Sequence, residues 1–371
     1  MTASSKFLAQ CLFDEGATRV VGVPDSVLAG FCLDAADVFG FDKHLIAANE
    51  GSAVGAAIGH HLATGEVSVV YMQNSGLGNA VNPLISLASG EVYSIPMMLV
   101  IGWRGMPGIE DEPQHVLQGR VTQQMLECLG IPYQTVHETD EKVSKQVRDL
   151  LELSKRTSAP VALLIPKGSL RSDRTQERLH DPTLMSREEA LQEVLENLDP
   201  GTLFVSTTGM LSREFYENTD GLKSRNCFMC VGGMGHAGSV ALGIAQELRH
   251  KRVVCLDGDG AAIMHLGAMA SIGKENCPNL IHIVFNNGVH DSVGGQPTTN
   301  REIEFSKIAH ECGYRLAVRA SSRVELVSIL KDAEATAGVS LIEIIVNPGN
   351  RADIGRPKED MIALKRRMRP S

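Results

Sequence analysis

The chain has 371 residues, 43% of them hydrophobic and 21% charged, the balance of a globular protein long enough for two ordinary domains. No window approaches the roughly 20 uninterrupted apolar residues of a membrane span, which argues against a membrane role. The formal net charge of −9 argues against nucleic acid as a partner, so a site for an anion must gather its cations locally.

The first twenty residues, MTASSKFLAQCLFDEGATRV, lack a basic start followed by a long apolar run and read as a capped amphipathic helix. Strand-length apolar runs follow at 19–23, 44–48, 67–72, 97–102 and 161–165, with helix-like segments at 26–39, 52–63, 78–89 and 141–158. Continuous apolar strands separated by amphipathic helices predict a parallel sheet covered on both faces. Residues 167–182 are rich in charge and poor in large apolar side chains, the composition of an interdomain linker. The expected division is a domain over 1–168, a linker over 169–185 and a domain over 186–371. Ser186 with Glu189 three residues on makes a capping-box helix start. The alternation then repeats, with strands expected at 203–206, 227–232, 252–257, 280–286, 314–318 and 340–346. Helices are expected at 211–216, 236–250, 263–273, 302–312 and 323–336. The fold class is α/β, with two doubly wound parallel-sheet domains.

The eight cysteines are scattered. Cys227 and Cys230 have CxxC spacing but fall in the apolar run NCFMCVG, which reads as a buried strand. Free buried thiols fit a reducing, cytoplasmic location. The basic run 365–369 reads as a solvated helix end.

The strongest chemical signal lies in the second half. Asp257-Gly258-Asp259-Gly260 closes the apolar strand VVCL and opens a helix. After 25 further residues Asn286-Asn287 closes the next strand, LIHIVF. Both polar groups therefore sit at carboxyl ends of neighbouring strands, where open α/β sheets bind ligands. Glycine lets the backbone approach a phosphate, and a helix N-terminus offers it free N–H groups. Asp259 and Asn287 supply hard oxygen atoms suited to Mg²⁺.

GDG followed at this distance by NN resembles the pattern of the thiamine diphosphate enzymes. The resemblance implies Mg²⁺ held by Asp259, Asn287 and the backbone carbonyl of Val289. It implies cofactor contacts from Gly209, Gly258, Gly260 and Ala261. The segment Val231-Gly232-Gly233-Met234-Gly235-His236 resembles the grip on the aminopyrimidine ring: Met234 sits between the two rings, and the Gly232 carbonyl accepts from the amino group. These enzymes also take a glutamate from the other domain type. Glu50, in AANEGSAVGAA, stands where a strand meets an alanine-rich helix, and there it would share a proton with ring nitrogen N1′. A helix N-terminal glutamate stabilised by the macrodipole is the other account of that position. A nucleotide-binding oxidoreductase would need GxGxxG after the first strand, which Gly22-Val23-Pro24 does not supply.

Most members of that superfamily carry a third domain between the two. Here the halves are joined directly, pyrimidine-binding half first. That order resembles the family of phosphonopyruvate decarboxylases and the related sulfopyruvate decarboxylases. So do the segments GVPDS (22–26), QNSGLGN (73–79), GWRG (102–105), DEPQH (111–115), TTG (207–209), SRE (212–214), NGVHDSVGGQPT (287–298) and DIGRP (353–357). The following KEDM (358–361) departs from the family's threonine-rich run. The resemblance implies decarboxylation of a small anionic 2-oxo acid through a thiamine diphosphate enamine. The first candidate is phosphonopyruvate, giving phosphonoacetaldehyde and CO₂ in phosphonate biosynthesis. A sulfopyruvate decarboxylase, or a related 2-oxo acid decarboxylase or carboligase, is the alternative. The carboxylate must leave, so the grip should fall on the phosphonate, a task for Ser26, Arg104, His115, His290 and Ser292. Glu50, Asp25, His290 and Asp291 are the candidates for moving protons. Local roles compete. Asp25 and Ser26 serve equally as helix caps, Arg104 as a surface partner of Glu110 or Asp111, and His290 as a loop histidine; His60 and His61 lie on a helix and read as structural. The resemblance also implies a homodimer or higher homo-oligomer with sites between subunits.

Overall fold

A computed structural model describes residues 2–136, 139–172, 174, 180–298, 303–357 and 361–368. The chain forms two compact units, residues 1–176 and 177–371, a division that falls inside the polar stretch expected to link the domains.

The first unit carries a six-stranded sheet in the spatial order His44–Ile46, Ala17–Gly22, Val67–Gln73, Met97–Trp103, Pro160–Pro166, Tyr133–Thr135. Every neighbouring pair is parallel. Its central strands alternate between two cores, as the two-residue period of a strand requires. Val69, Tyr71, Val100 and Leu163 pack with Leu8, Phe31 and Val147 on one face. Val70, Met72, Leu99 and Leu164 pack with Val54, Leu77 and Leu126 on the other. Burial on both faces is why these strands read as unbroken apolar runs.

The second unit repeats the plan, in the order Asn226–Met229, Leu203–Ser206, Val253–Gly258, Leu280–Asn286, Ser340–Ile345, Leu316–Ala320, again all parallel. Numbered along the chain, both sheets read second, first, third, fourth, sixth, fifth. The winding reverses between the first and third strands, so each unit has a switch-point crevice outside the carboxyl ends of those strands.

Several boundaries differ from expectation. The helix expected over 26–39 begins at Ala29. The one expected over 78–89 runs Leu77–Pro83 and then loosens into a π turn over Leu84–Ala88, next to a proline that lacks a donor N–H. The helix expected over 263–273 is two, Asp259–Met264 and Ala268–Glu275, with Gly267 at the break. The helix expected over 302–312 is described as Phe305–Glu311, and Glu302 lies outside the described residues. Pro113–Cys128 forms a helix that the hydrophobic pattern does not announce: Gly119, Thr122 and Leu126 are its buried positions. Leu170–Arg171, expected in the linker, pairs with Ala3–Ser4 and belongs to the first unit. Ser186 does cap the helix Arg187–Asn197 in a capping box with Glu189. The basic tail forms the helix Met361–Arg367, anchored by buried Leu364; Arg369 and residues 358–360 lie outside the described residues. No helix among the described residues is long and apolar enough to cross a membrane. All eight cysteines are free. Burial pushes the Cys227 thiol up to about 12 and that of Cys230 up to about 11, which suits inert core residues.

Candidate active site

In the first unit the expected residues gather at the carboxyl edge of the sheet. Glu50 opens the helix Glu50–Thr64, whose cap Asn49 accepts from the Ser52 N–H at 2.9 Å. Despite that terminal position Glu50 is 5% exposed. Its Oε2 accepts from Asn79 Nδ2 at 2.8 Å. A Cβ at position 76 would overlap the Glu50 carboxylate, so Gly76 is the residue that admits it.

Asp25 follows the strand Ala17–Gly22 and is 1% exposed. Its Oδ2 accepts from the N–H groups of Val27 at 3.0 Å and Leu28 at 3.2 Å, a cap on the turn that leads into Ala29–Phe39. Its Oδ1 is buried with no hydrogen-bond partner among the described residues. Burial pushes the carboxyl up to about 6, against the pull of those amides and the Arg104 charge. The strand Met97–Trp103 passes close behind, where a Cβ on Gly102 would overlap Asp25 Oδ2.

Arg104 and His115 converge on Asp111, and Ser26 joins them through Arg104. Arg104 grips it with two nitrogens, Nε to Oδ2 at 2.7 Å and a terminal nitrogen to Oδ1 at 2.5 Å, and its other terminal nitrogen donates to Ser26 Oγ at 2.9 Å. His115 Nδ1 lies 3.0 Å from Asp111 Oδ1, and the Gly105 N–H donates to Oδ2 at 2.9 Å. The pairing of Arg104 with Asp111 weighed from the sequence is present, but it is buried and not on the surface: the Asp111 side chain is 1% exposed. Burial alone would raise that carboxyl; the Arg104 guanidinium and the surrounding amides outweigh it and hold the group well below the usual carboxylate range. Burial lowers the His115 pKa, with Asp111 opposing. Asn74 fixes the strand end, exchanging hydrogen bonds with the Arg104 backbone at 3.1 and 2.9 Å. Asp111 and Asn74 were not singled out from the sequence as site residues, although each lies inside a segment that carried the family resemblance.

In the second unit one pocket is lined by Gly209, Met234, Gly258, Asp259, Gly260, Ala261, Asn287, Val289, His290, Asp291 and Ser292. The residues expected to hold cofactor and metal thus meet in one place, with one exception. Gly232 is outside this lining and lies on the exposed turn after Asn226–Met229. Gly209 has φ +94°, and space is open beside Gly258, both suited to close approach of a ligand to the backbone. His290 packs on Gly260, where a Cβ would fall 2.7 Å from its ring. Burial pushes the imidazole down to about 4. At neutral pH the imidazole is therefore uncharged.

Asp259 is 5% exposed. Burial pushes its carboxyl up to about 6, opposed by the Thr298 hydroxyl, which donates to Oδ2 at 2.9 Å, and by nearby amides. These named partners are neutral. Asp259, Asn287 and Val289 line one pocket, and a buried carboxylate, an amide oxygen and a backbone carbonyl are the hard-oxygen donors that a small divalent cation takes. Arg187 also lines the pocket and was missed, since its arginine stands immediately after a helix cap far from either motif. It is clamped between Glu214 (2.7 and 2.8 Å) and Asp291 (2.9 Å).

Family models for the thiamine pyrophosphate enzymes match both units: the N-terminal TPP binding domain over residues 2–126 and the C-terminal TPP binding domain over 207–344. A phosphonopyruvate decarboxylase from Streptomyces hygroscopicus is 35% identical over 384 aligned residues, covering 100% of this chain and 94% of the relative. Another, from Streptomyces viridochromogenes, is 33% identical over 369, covering 95% and 91%. A sulfopyruvate decarboxylase from Methanosarcina acetivorans is 30% identical over 341, covering 85% of each. The two-sheet α/β fold, the pocket that unites the GDG and NN strand ends, and similarity running nearly from end to end agree: the chain belongs to the phosphonopyruvate decarboxylase family of thiamine pyrophosphate enzymes, which has sulfopyruvate decarboxylases as relatives, and it is a thiamine diphosphate-dependent carboxy-lyase.

Proposed function

We propose that this chain decarboxylates phosphonopyruvate to phosphonoacetaldehyde and CO₂, with thiamine diphosphate anchored through Mg²⁺. The observation that carries the substrate is the near full-length similarity to two phosphonopyruvate decarboxylases. Asp259, Asn287 and the Val289 carbonyl would hold the cation, with Gly209, Gly258, Gly260, Ala261 and Met234 around the cofactor and Gly232 accepting from its ring. When bound, thiamine diphosphate supplies the nucleophilic carbon and the electron sink for the carbon–carbon bond that breaks.

The chain's own residues bind, orient and move protons. Glu50 exchanges a proton at its carboxylate while Asn79 holds Oε2 in place. Asp25, protonated below about pH 6, is suited to giving a proton to the product carbon. The neutral His290 offers a ring nitrogen as donor or acceptor. Arg104 carries the one fixed positive charge of the Asp111 cluster, and its link to Ser26 supports reading that pair, with His115, as the grip on the phosphonate. Ser292 would do the same from the second unit. Eight free cysteines fit a cytoplasmic setting. The family resemblance supports at least a homodimer in which each site draws on two copies.

A second reading takes sulfopyruvate as substrate, supported by the Methanosarcina relative. Product analysis with kcat/KM on both acids separates them. We expect phosphonopyruvate to be preferred by about tenfold or more, or at least ~1.4 kcal/mol at the transition state. A sulfopyruvate preference would reverse the substrate assignment and leave the carboxy-lyase intact.

A further inference from the structure

Asp291 stands four residues after Asn287 and lines the pocket with Val289, His290 and Ser292. That placement suggests a proton carrier, but its bonds describe another task. Asp291 Oδ2 accepts from Asn287 Nδ2 at 2.7 Å and from an Arg187 terminal nitrogen at 2.9 Å. The Gly349 N–H lies 3.0 Å from both of its oxygens. Arg187 is in turn forked onto Glu214 at 2.7 and 2.8 Å. The side chains of all three are at most 7% exposed. Although Arg187 lines the pocket, two carboxylates share its guanidinium, so it serves as a brace rather than as a free charge for an anion.

The consequence falls on Asn287. An amide has a donor end and an acceptor end, and only the oxygen ligates a hard cation. With Nδ2 committed to Asp291, Oδ1 is left on the other side, where it accepts from the Val289 N–H at 3.1 Å. We propose that Asp291 is a positioning residue that selects the amide orientation of Asn287, keeping Oδ1 and not Nδ2 available as a ligand, and that Arg187 and Glu214 hold Asp291 in place. This rests on the reading of Asn287 as a Mg²⁺ ligand.

The test is an exchange read by binding. Asp291 Oδ2 accepts from Asn287 and Arg187 alike, so Asp291→Ala removes the acceptor that tells the two ends of the Asn287 amide apart, and Asn287 can turn Nδ2 toward the cation. Adding Asn287→Asp puts an oxygen at both ends of that side chain, so its orientation no longer matters. Titration calorimetry of thiamine diphosphate into the whole chain at graded Mg²⁺ is the readout, with thermal melting as the folding control. D291A should raise the Mg²⁺ needed for half-maximal cofactor binding by about tenfold or more, and N287D/D291A should bring it back near the parent. Parent-like Mg²⁺ dependence in D291A, or a double variant no better than D291A, overturns the proposal. If D291A does not fold, the double variant decides alone: a parent-like Mg²⁺ requirement supports the proposal and a lost one sinks it. Asn287→Ala separates the two levels. If it leaves the Mg²⁺ dependence intact, the metal reading has failed. If it abolishes the dependence while D291A does not change it, only the positioning role has failed.

Discussion

Glu50 and Asp25 are both buried carboxyls at strand ends, yet their partners assign them different behaviour. Glu50 has one oxygen fixed by the Asn79 amide and lies over a glycine that leaves room for it. Glu50→Gln keeps the shape and an oxygen for Asn79 but removes the exchangeable proton. Cofactor binding should survive while turnover falls by a factor of about 10² to 10⁴, the usual worth of a positioned acid or base; near-parental kcat would remove Glu50 from the mechanism. Asp25 has an Oδ1 with no hydrogen-bond partner among the described residues and a folded-state pKa of about 6 against 3.8 for the free group. A raised pKa means that the folded chain binds the proton more tightly than the unfolded one. That contribution to stability is full below about pH 4 and is lost as pH rises through about 6. The difference of roughly two units corresponds to at most ~3 kcal/mol. Asp25→Asn cannot ionise, so between pH 4 and 7 its unfolding free energy should fall less than the parent's in urea titrations. Equal pH slopes for the two proteins would show that Asp25 does not carry the shifted proton.

The helix Pro113–Cys128 positions the Asp111 cluster of the first unit, and it does so through backbone contact. A Cβ at Gly119 would overlap the Gly105 carbonyl, and one at Gly105 would overlap the His115 carbonyl. Trp103, the only tryptophan of the chain, donates from Nε1 to the Gly119 carbonyl at 2.9 Å. Gly119→Ala must therefore push the helix off the strand end, at a cost of about 1–3 kcal/mol for overpacking. It should red-shift the Trp103 emission and weaken substrate binding through displaced Arg104 and His115. Unchanged emission would mean that the helix accommodates the methyl group without moving. This element also shows where sequence reading stops. Strands such as Leu280–Asn286 were legible to the residue because burial on both faces forces a continuous apolar run. Pro113–Cys128 buries little, exposes Val116 and Leu117, and is held by glycine contacts that leave no hydrophobic period to find. The same holds for the site. Asp259, Asn287 and Glu50 stand at strand ends inside recognisable motifs. The Asp111 cluster and the Arg187 brace depend on side chains meeting across the fold, as Arg187 and Asp291 do from positions 104 residues apart, a pairing that no local pattern encodes.

At the scale of the whole molecule the two units share a strand order. The first holds Glu50 and the Asp111 cluster, and the second holds the pocket with Asp259 and Asn287. The proposed mechanism needs both sets. The family resemblance supports a site that takes its first-unit residues from one copy and its second-unit residues from another. Complementation tests this without any new structure. Glu50→Gln and Asp259→Asn chains should each be inactive as homo-oligomers, since each lesion recurs in every site. In a mixed dimer built from shared sites, one site receives both lesions and the other receives neither. Random reassortment makes half the dimers mixed, so equal co-expression should restore about a quarter of parental activity. Sites confined to a single chain give no such recovery, because every chain still carries one lesion. The recovered activity should also decline on dilution below the dimer dissociation constant, since a shared site cannot outlive its interface.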